Sequence, residues 1–161
     1  MPTKETKKTT APKKAGVKRE TKKTAPVAKG KYKEAIGRRK TAIARVRFYT
    51  GEKKETKRFD IEVNGKKFTE FFPLPRQQKN VLAAFVATGE NYPVTVQVKG
   101  GGIMAQAEAV RLGASRILVS INENYRGKLK QLGYLTRDPR MVERKKFGSR
   151  KARRPQQWRK R

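Results

Sequence analysis

The feature that most limits how this chain can fold is the distribution of its positive charge. Its 161 residues include 43 Lys and Arg against 13 Asp and Glu, a formal net charge of +30. Residues 1–30 carry ten cations and two carboxylates, and residues 131–161 carry twelve and two, so the two ends hold +18. Because compact folding of both ends would force these charges together, we expect a polyanionic partner to neutralise them.

Nucleic acid and anionic membranes are the two polyanions that suit so basic a chain. Membrane binding needs an apolar stretch of about 18 residues or a basic amphipathic helix. The basic segments contain almost no large aliphatic residues, so we expect nucleic acid as the partner and no membrane. The sequence has no Cys and no His, which excludes disulfides, the usual zinc ligand sets and Ser-His or Cys-His nucleophiles. We expect no enzyme activity, no metal and no cofactor.

Composition divides the chain into three segments. Residues 1–30 are rich in Lys, Thr, Ala and Pro, and too poor in apolar surface to offset ordering entropy, which predicts a disordered basic extension. Residues 31–133 are predicted to form a globular α/β domain, and residues 134–161 an extended basic tail. The extension is compositionally similar to linker-histone tails, so a free nucleic-acid-compacting protein is an alternative hypothesis.

Hydrophobic periodicity predicts the fold of the middle segment. "KTAIARVRF" alternates as a strand, "RFDIEVNGKKF" is typical of a hairpin turning at Asn64-Gly65, and "YPVTVQVK" is a further strand. Helices are predicted in "PRQQKNVLAAFVATG", "IMAQAEAVRLGASRILVSI" and "NENYRGKLKQLG", the first with an apolar stripe of Val81, Leu82, Phe85 and Val86. These elements predict an α+β fold: a two-layer α/β sandwich with a mostly antiparallel sheet, helices on one face and extended basic N- and C-terminal tails.

A triple glycine, Gly100-Gly101-Gly102, lies between a predicted strand and a predicted helix. With Ala105 it matches the G-x-G-x-x-A dinucleotide fingerprint. The fingerprint also needs an acidic residue at the end of a second parallel strand, and the sequence has no such strand, which argues against a nucleotide cofactor. Two interpretations remain open: a tight packing turn, or a backbone that receives a nucleic-acid phosphate near Arg111 and Arg116.

Clusters of Arg and Lys mark two further candidate surfaces. "GRRKTAIARVR" places basic residues at the entry to a strand, which suits docking on phosphates. "LTRDPRMVERKKFG" mixes cations with Asp138 and Glu143, which we expect to order the arginines by local pairing. The final residues alternate basic clusters with Phe147 and Trp158, a composition that suits stacking on RNA bases and neutralising phosphates.

Five blocks of sequence resemble the bacterial-type S9 family of small-subunit ribosomal proteins. They are "GRRKTAIARVRFYTG", "VNGKKFTEFFP", "VKGGGIMAQAEAVRLGASRIL", "LTRDPRMVERKKFGSRKARR" and the terminal "KR", and the resemblance covers roughly residues 31–161. The resemblance implies a structural protein of the small-subunit head, on cytoplasmic ribosomes, with small-subunit ribosomal RNA (rRNA) and neighbouring ribosomal proteins as partners. It also implies that the tail reaches the peptidyl-site tRNA.

The predicted site residues follow from these patterns and from the resemblance. The rRNA-binding candidates are Arg38, Arg39, Lys40, Arg45, Arg47, Gly100, Gly101, Gly102, Gln106, Arg111, Arg116, Arg137, Arg140, Arg144, Lys145, Lys146, Arg150, Lys151, Arg153 and Arg154. The tRNA-contacting candidates, carried over from the family by position, are Trp158, Arg159, Lys160 and Arg161.

The sequence departs from the family's pattern at two positions. Arg159 stands where family tails commonly have Ser, although the terminal Lys-Arg is kept. Ala105 stands where the family usually has a further Gly before Gln106, and Ala would be strained there if the backbone needed a positive φ.

Overall fold

The structure is a computed structural model and describes residues 31–51 and 59–157. The strands are β1 (Tyr32–Arg39), β2 (Ala42–Tyr49), β3 (Ile61–Val63), β4 (Lys66–Lys67) and β5 (Val94–Lys99). The helices are α1 (Phe68–Phe71), α2 (Pro75–Thr88), α3 (Ile103–Ile121) and α4 (Tyr125–Gln131). The predicted N-terminal extension, residues 1–30, lies outside the described residues.

The five strands form one mixed sheet in the order β1-β2-β5-β3-β4. All neighbouring pairs are antiparallel except β3 and β5, which run parallel, and the chain passes from β3 through β4, α1 and α2 before it enters β5. The β3–β4 hairpin turns at Asn64 and Gly65, with φ of 49° and 77°, as the Asn-Gly pair predicted. The predicted α+β class with a mostly antiparallel sheet is therefore confirmed.

The core lies between one face of the sheet and the helices. The alternation in β2 is confirmed, since Ala42, Ala44, Val46 and Phe48 are fully buried. Phe48 stacks on Phe85 of α2, with ring centroids 5.4 Å apart. A Cβ added to Gly37 of β1 would lie 2.7 Å from the amide nitrogen of Gly113, so these glycines allow β1 to approach α3 closely.

The apolar stripe predicted for α2 is wrong at one position. Val81 and Phe85 are buried, whereas Val86 is 68% exposed. The contact face of α2 continues through Ala84 instead, because residues three and four apart lie on one side of a helix and Val86 lies a further 100° around it. The helix ends at Gly89, whose φ of 73° is the left-handed cap that the sequence predicted.

Beyond α4 the chain keeps contact with the core for a short distance. Gly133 takes a φ of 72°, and Tyr134 and Leu135 then pack partly buried against the core. From residue 136 to residue 157 there is no helix or strand, only an isolated bridge between Ser149 and Pro155. In the described ranges, no helix is long and apolar enough to span a membrane.

Candidate nucleic-acid interface

The triple glycine packs against the turn between β1 and β2. Gly100 and Gly101 have φ of 72° and 67°, and an added Cβ would lie 2.7 Å from the Thr41 carbonyl oxygen and 2.7 Å from the Ala42 Cβ, respectively. Both positions therefore require glycine for conformation and for space. The packing interpretation of the loop is confirmed.

The same loop leads into the N-terminus of α3. Gly102 is the N-cap and offers no side chain to the first-turn amides, and the Gln106 side chain donates to the Gly100 carbonyl oxygen at 3.0 Å. Uncapped first-turn N–H groups and the helix dipole favour an anion at this end of a helix. Ala105 lies inside α3 with a right-handed backbone, so its departure from the family pattern creates no strain.

Arg111 and Arg116 do not reach this loop. Arg111 stacks its guanidinium on the Tyr134 ring at 4.6 Å, and Arg116 donates to the Ile36 carbonyl oxygen at 2.6 Å. They lie about 12 Å or more along α3 from its first residue, because a helix rises about 1.5 Å per residue. The sequence predicted that they lie near the glycine loop, whereas their side chains contact β1, α2 and Tyr134 after α4, and their predicted contact with rRNA stays a prediction.

Basic residues at the entry to β2 divide between the two faces of the sheet. Arg38, Arg45 and Arg47 lie on the open face, as their register with the buried alternation of β2 requires. Arg45 and Arg47 share the carboxylate of Glu34, with N···O distances of 3.1 and 2.7 Å. One carboxylate between two guanidiniums leaves positive charge on this face.

Arg39 points the other way and fastens the start of the tail to the domain. Its guanidinium forms ion pairs with Glu108 at 2.6 Å and Asp138 at 3.0 Å, and its side chain is only 12% exposed. It also donates to the backbone carbonyl oxygens of Asp138 at 3.3 Å and Arg140 at 2.8 Å. These contacts give Arg39 a structural role, and its predicted contact with rRNA stays a prediction.

Local pairing of the tail arginines is confirmed. Asp138 accepts bidentate hydrogen bonds from Arg140, from Nε to Oδ1 and from Nη2 to Oδ2, and Glu143 accepts two from Arg153, at 2.9 and 2.6 Å. The Arg140 side chain and amide hold the pKa of Asp138 well below its ordinary range, and the hydrogen bonds from Arg153 lower the pKa of Glu143. Both carboxylates are therefore anions that order neighbouring cations, not proton donors.

The tail does not run straight through its described part. The Arg150 amide donates to the Arg154 carbonyl oxygen at 2.9 Å, and Gly148 has a φ of 72°, so the chain turns back on itself here. Phe147 is 98% exposed and Val142 89% exposed. The tRNA candidates Trp158, Arg159, Lys160 and Arg161 lie outside the described residues.

Two residues that the sequence did not indicate hold candidate arginines in place. Glu108 is the carboxylate of α3 that pairs with Arg39, and Tyr134 is the ring beneath Arg111. The sequence did not indicate that Glu108 pairs with Arg39, because the two residues are 69 positions apart. Tyr134 follows the helix-ending Gly133, where a residue that packs back on the preceding turns is common. In the part of the chain that the structure describes, no cluster of Asp and Glu could hold a metal ion.

Comparisons with known proteins give a consistent result. The family model described as "Ribosomal protein S9/S16" matches residues 37–161. The small ribosomal subunit protein uS9 of Cytophaga hutchinsonii is 45% identical over 129 residues, covering 79% of this chain and 96% of that protein. The uS9 proteins of Amoebophilus asiaticus and Lawsonia intracellularis are each 43% identical, over 79% of this chain and 96% and 95% of their own lengths.

Proposed function

Because the chain belongs to the ribosomal protein S9/S16 family and is a structural constituent of the small ribosomal subunit, we propose that it binds small-subunit rRNA in the head and that its tail reaches the peptidyl-site tRNA. Ribosomal RNA and neighbouring ribosomal proteins are the partners of such a constituent. The protein is not an enzyme. The hypothesis of a free linker-histone-type protein rested on residues 1–30, which lie outside the matched family region.

The observation that carries the rRNA proposal is the excess of unpaired cations on the tail. Residues 134–157 contain nine Lys and Arg and two carboxylates, and both carboxylates are already paired with arginines. Seven cations therefore have no carboxylate partner among the described residues, which favours binding to phosphates. The exposed Phe147 ring adds a surface on which a base stacks.

The glycine loop supports a phosphate contact at a second place. The uncapped N-terminus of α3 follows the loop that packs on Thr41 and Ala42, and Lys40 lies exposed in the adjoining β1–β2 turn. Anions are favoured at such an end by about 0.3–1 kcal/mol when it is exposed. We place an rRNA phosphate here, with Gly100 and Gly101 setting the loop close to Ala42.

For the tail, the proposed mechanism is electrostatic and involves no chemical step. Lys160 and Arg161 are the terminal cations of the chain, preceded by the aromatic Trp158. Cations beside tRNA phosphate lower the free energy of the bound tRNA, and an indole ring stacks on bases or sugars. This contact would help hold the tRNA and the reading frame.

Sedimentation of tagged protein through a gradient at about 0.5 M salt tests the rRNA proposal. Binding through exposed phosphates alone weakens steeply with salt, with a slope near −0.7 per neutralised phosphate on single strands. We expect the protein to migrate with small subunits after this wash. Its release to the top of the gradient would contradict integration into the particle and indicate peripheral binding.

Shortened chains test the tRNA proposal. A chain that ends at Gln157 should still enter small subunits, while peptidyl-site tRNA binds more weakly to those subunits than to subunits holding the full chain. The matched control lacks residues 1–30 and should leave tRNA affinity unchanged. Equal tRNA affinities for the full and the shortened C-terminus would refute the tail contact.

A further inference from the structure

A cleft lies where the end of β1, the middle of α3 and the first residues of the tail meet. Its volume is about 200 Å³ and it is open to solvent. Five arginines line it together with two carboxylates, Glu108 and Asp138. The arginines are Arg38, Arg39, Arg111, Arg137 and Arg140. No single stretch of sequence shows this cluster, because its members come from three segments up to a hundred residues apart.

The carboxylates neutralise only part of this charge. Glu108 and Asp138 both pair with Arg39, and Asp138 also pairs with Arg140. Arg38 and Arg137 have no carboxylate partner within the described ranges, and Arg111 contacts only a ring and an amide oxygen, that of Asn80 at 3.5 Å. The lining therefore carries three more positive than negative charges, and this excess favours an anion bound in the cleft.

Contacts within the protein hold two of the cleft arginines, Arg39 and Arg111, in place. The buried Arg39 guanidinium joins the helix carboxylate to the backbone of the tail, and Arg111 is held against Tyr134. Guanidiniums present N–H donors in a planar fork that matches two oxygens of a phosphate. Arg111 and Arg137, which line the cleft and have no carboxylate partner within the described ranges, therefore offer donors to a phosphate, and the charged lining does not suit an apolar ligand.

We propose that this cleft binds one phosphodiester group of ribosomal RNA, which bridges the strand, the helix and the tail and so fixes the direction in which the tail leaves the domain. The inference rests on the proposed function, since it names a site within the rRNA interface. It adds a single position at which one phosphate contacts both the domain and the tail.

A phosphate-ethylation interference experiment with the full chain tests the site. The probe is transcribed small-subunit rRNA, lightly ethylated on its phosphates, and the variants are Arg137→Gln and the matched Arg126→Gln. Both residues are exposed, so both variants should fold as the wild type does. Each removes one positive charge, the first in the cleft and the second outside it.

We expect interference at one or a few adjacent phosphates to disappear in the cleft variant and to persist in the control. The salt slope of binding should fall by about 0.7–0.9 in the cleft variant, the value of one phosphate contact. Identical interference patterns for the two variants would overturn the site. The site would also be overturned if the cleft bound inorganic phosphate in a titration while the interference pattern of the cleft variant matched that of the wild type, because the cleft would then be a site for free anions. If the wild-type chain binds small-subunit rRNA no better than large-subunit rRNA, the proposed function itself fails.

Discussion

Replacing Gly101 with Ala should destabilise the domain through two separate effects. The φ of Gly101 is +67°, and an L side chain in the left-handed region costs about 1–2 kcal/mol. The new Cβ would also lie 2.7 Å from the Ala42 Cβ and 2.9 Å from the Ala42 amide nitrogen, where carbon contacts prefer 3.5–4.0 Å. Overpacking of this kind costs about 1–3 kcal/mol, so we expect a total loss of about 2–5 kcal/mol.

Urea denaturation followed by circular dichroism measures this loss, and the neighbouring glycine is its control. Gly102 has a φ of −95° and no atom within 4 Å of an added Cβ. Gly102→Ala should therefore cost no more than about 1 kcal/mol, the difference between Gly and Ala at an N-cap. With a urea m-value of about 1–2 kcal/mol/M, the midpoint of Gly101→Ala should fall by at least about 1 M. Equal losses for the two variants would refute the packing argument.

Three further predictions concern the contacts of Arg39 with the tail and two titrating groups. Arg39→Gln should speed hydrogen exchange at the Arg140 amide by about tenfold or more, because Asp138, which accepts a hydrogen bond from that amide, loses its ion pair with Arg39. Arg116→Gln should not change this rate, and equal rates in the two variants would contradict the role of Arg39. The Asp138 carboxyl, whose folded pKa lies below the ordinary value of 3.8, should stay ionised from pH 7 to about pH 4 by carbon NMR, and its stabilising ion pairs should weaken only below that. Burial raises the pKa of Tyr92 to about 12. The ultraviolet absorbance of the wild type should therefore show a phenolate transition near that pH, and Tyr92→Phe should lack it. The contribution of this shift to the free energy of unfolding is present below pH 10 and is lost as the pH rises through about 12. A Tyr92 transition near pH 10 would contradict the shift.

Local sequence rules predicted most of the elements. The alternation from Ala42 to Phe48 predicted both faces of β2, and Asn64-Gly65 predicted the hairpin turn, because these signals depend on neighbours within a few residues. The glycine loop was recognised from its place between strand and helix, although its reason for glycine, contact with Ala42, became visible only in the structure.

Long-range contacts explain what the sequence did not predict. The local sequence does not distinguish Arg39 from Arg38. Successive side chains on a strand point to opposite faces of the sheet, however, so Arg39 points toward Glu108 and Asp138 and Arg38 points away from them. Val86 belonged to an apolar run, but the side of α2 that meets the core was fixed by Phe85 stacking on Phe48. The charge of the tail predicted phosphate binding without showing which cations are already paired.

The measurement that tests the central claim most directly is cross-linking from the end of the tail. A photoreactive amino acid replaces Trp158 in chains assembled into small subunits, and tRNA is then bound in the peptidyl site. We predict a covalent adduct with the tRNA, and with the same probe at the exposed Val142 an adduct with rRNA only. If the probe at position 158 labels rRNA or protein but never the tRNA, the proposed reach of the tail is wrong.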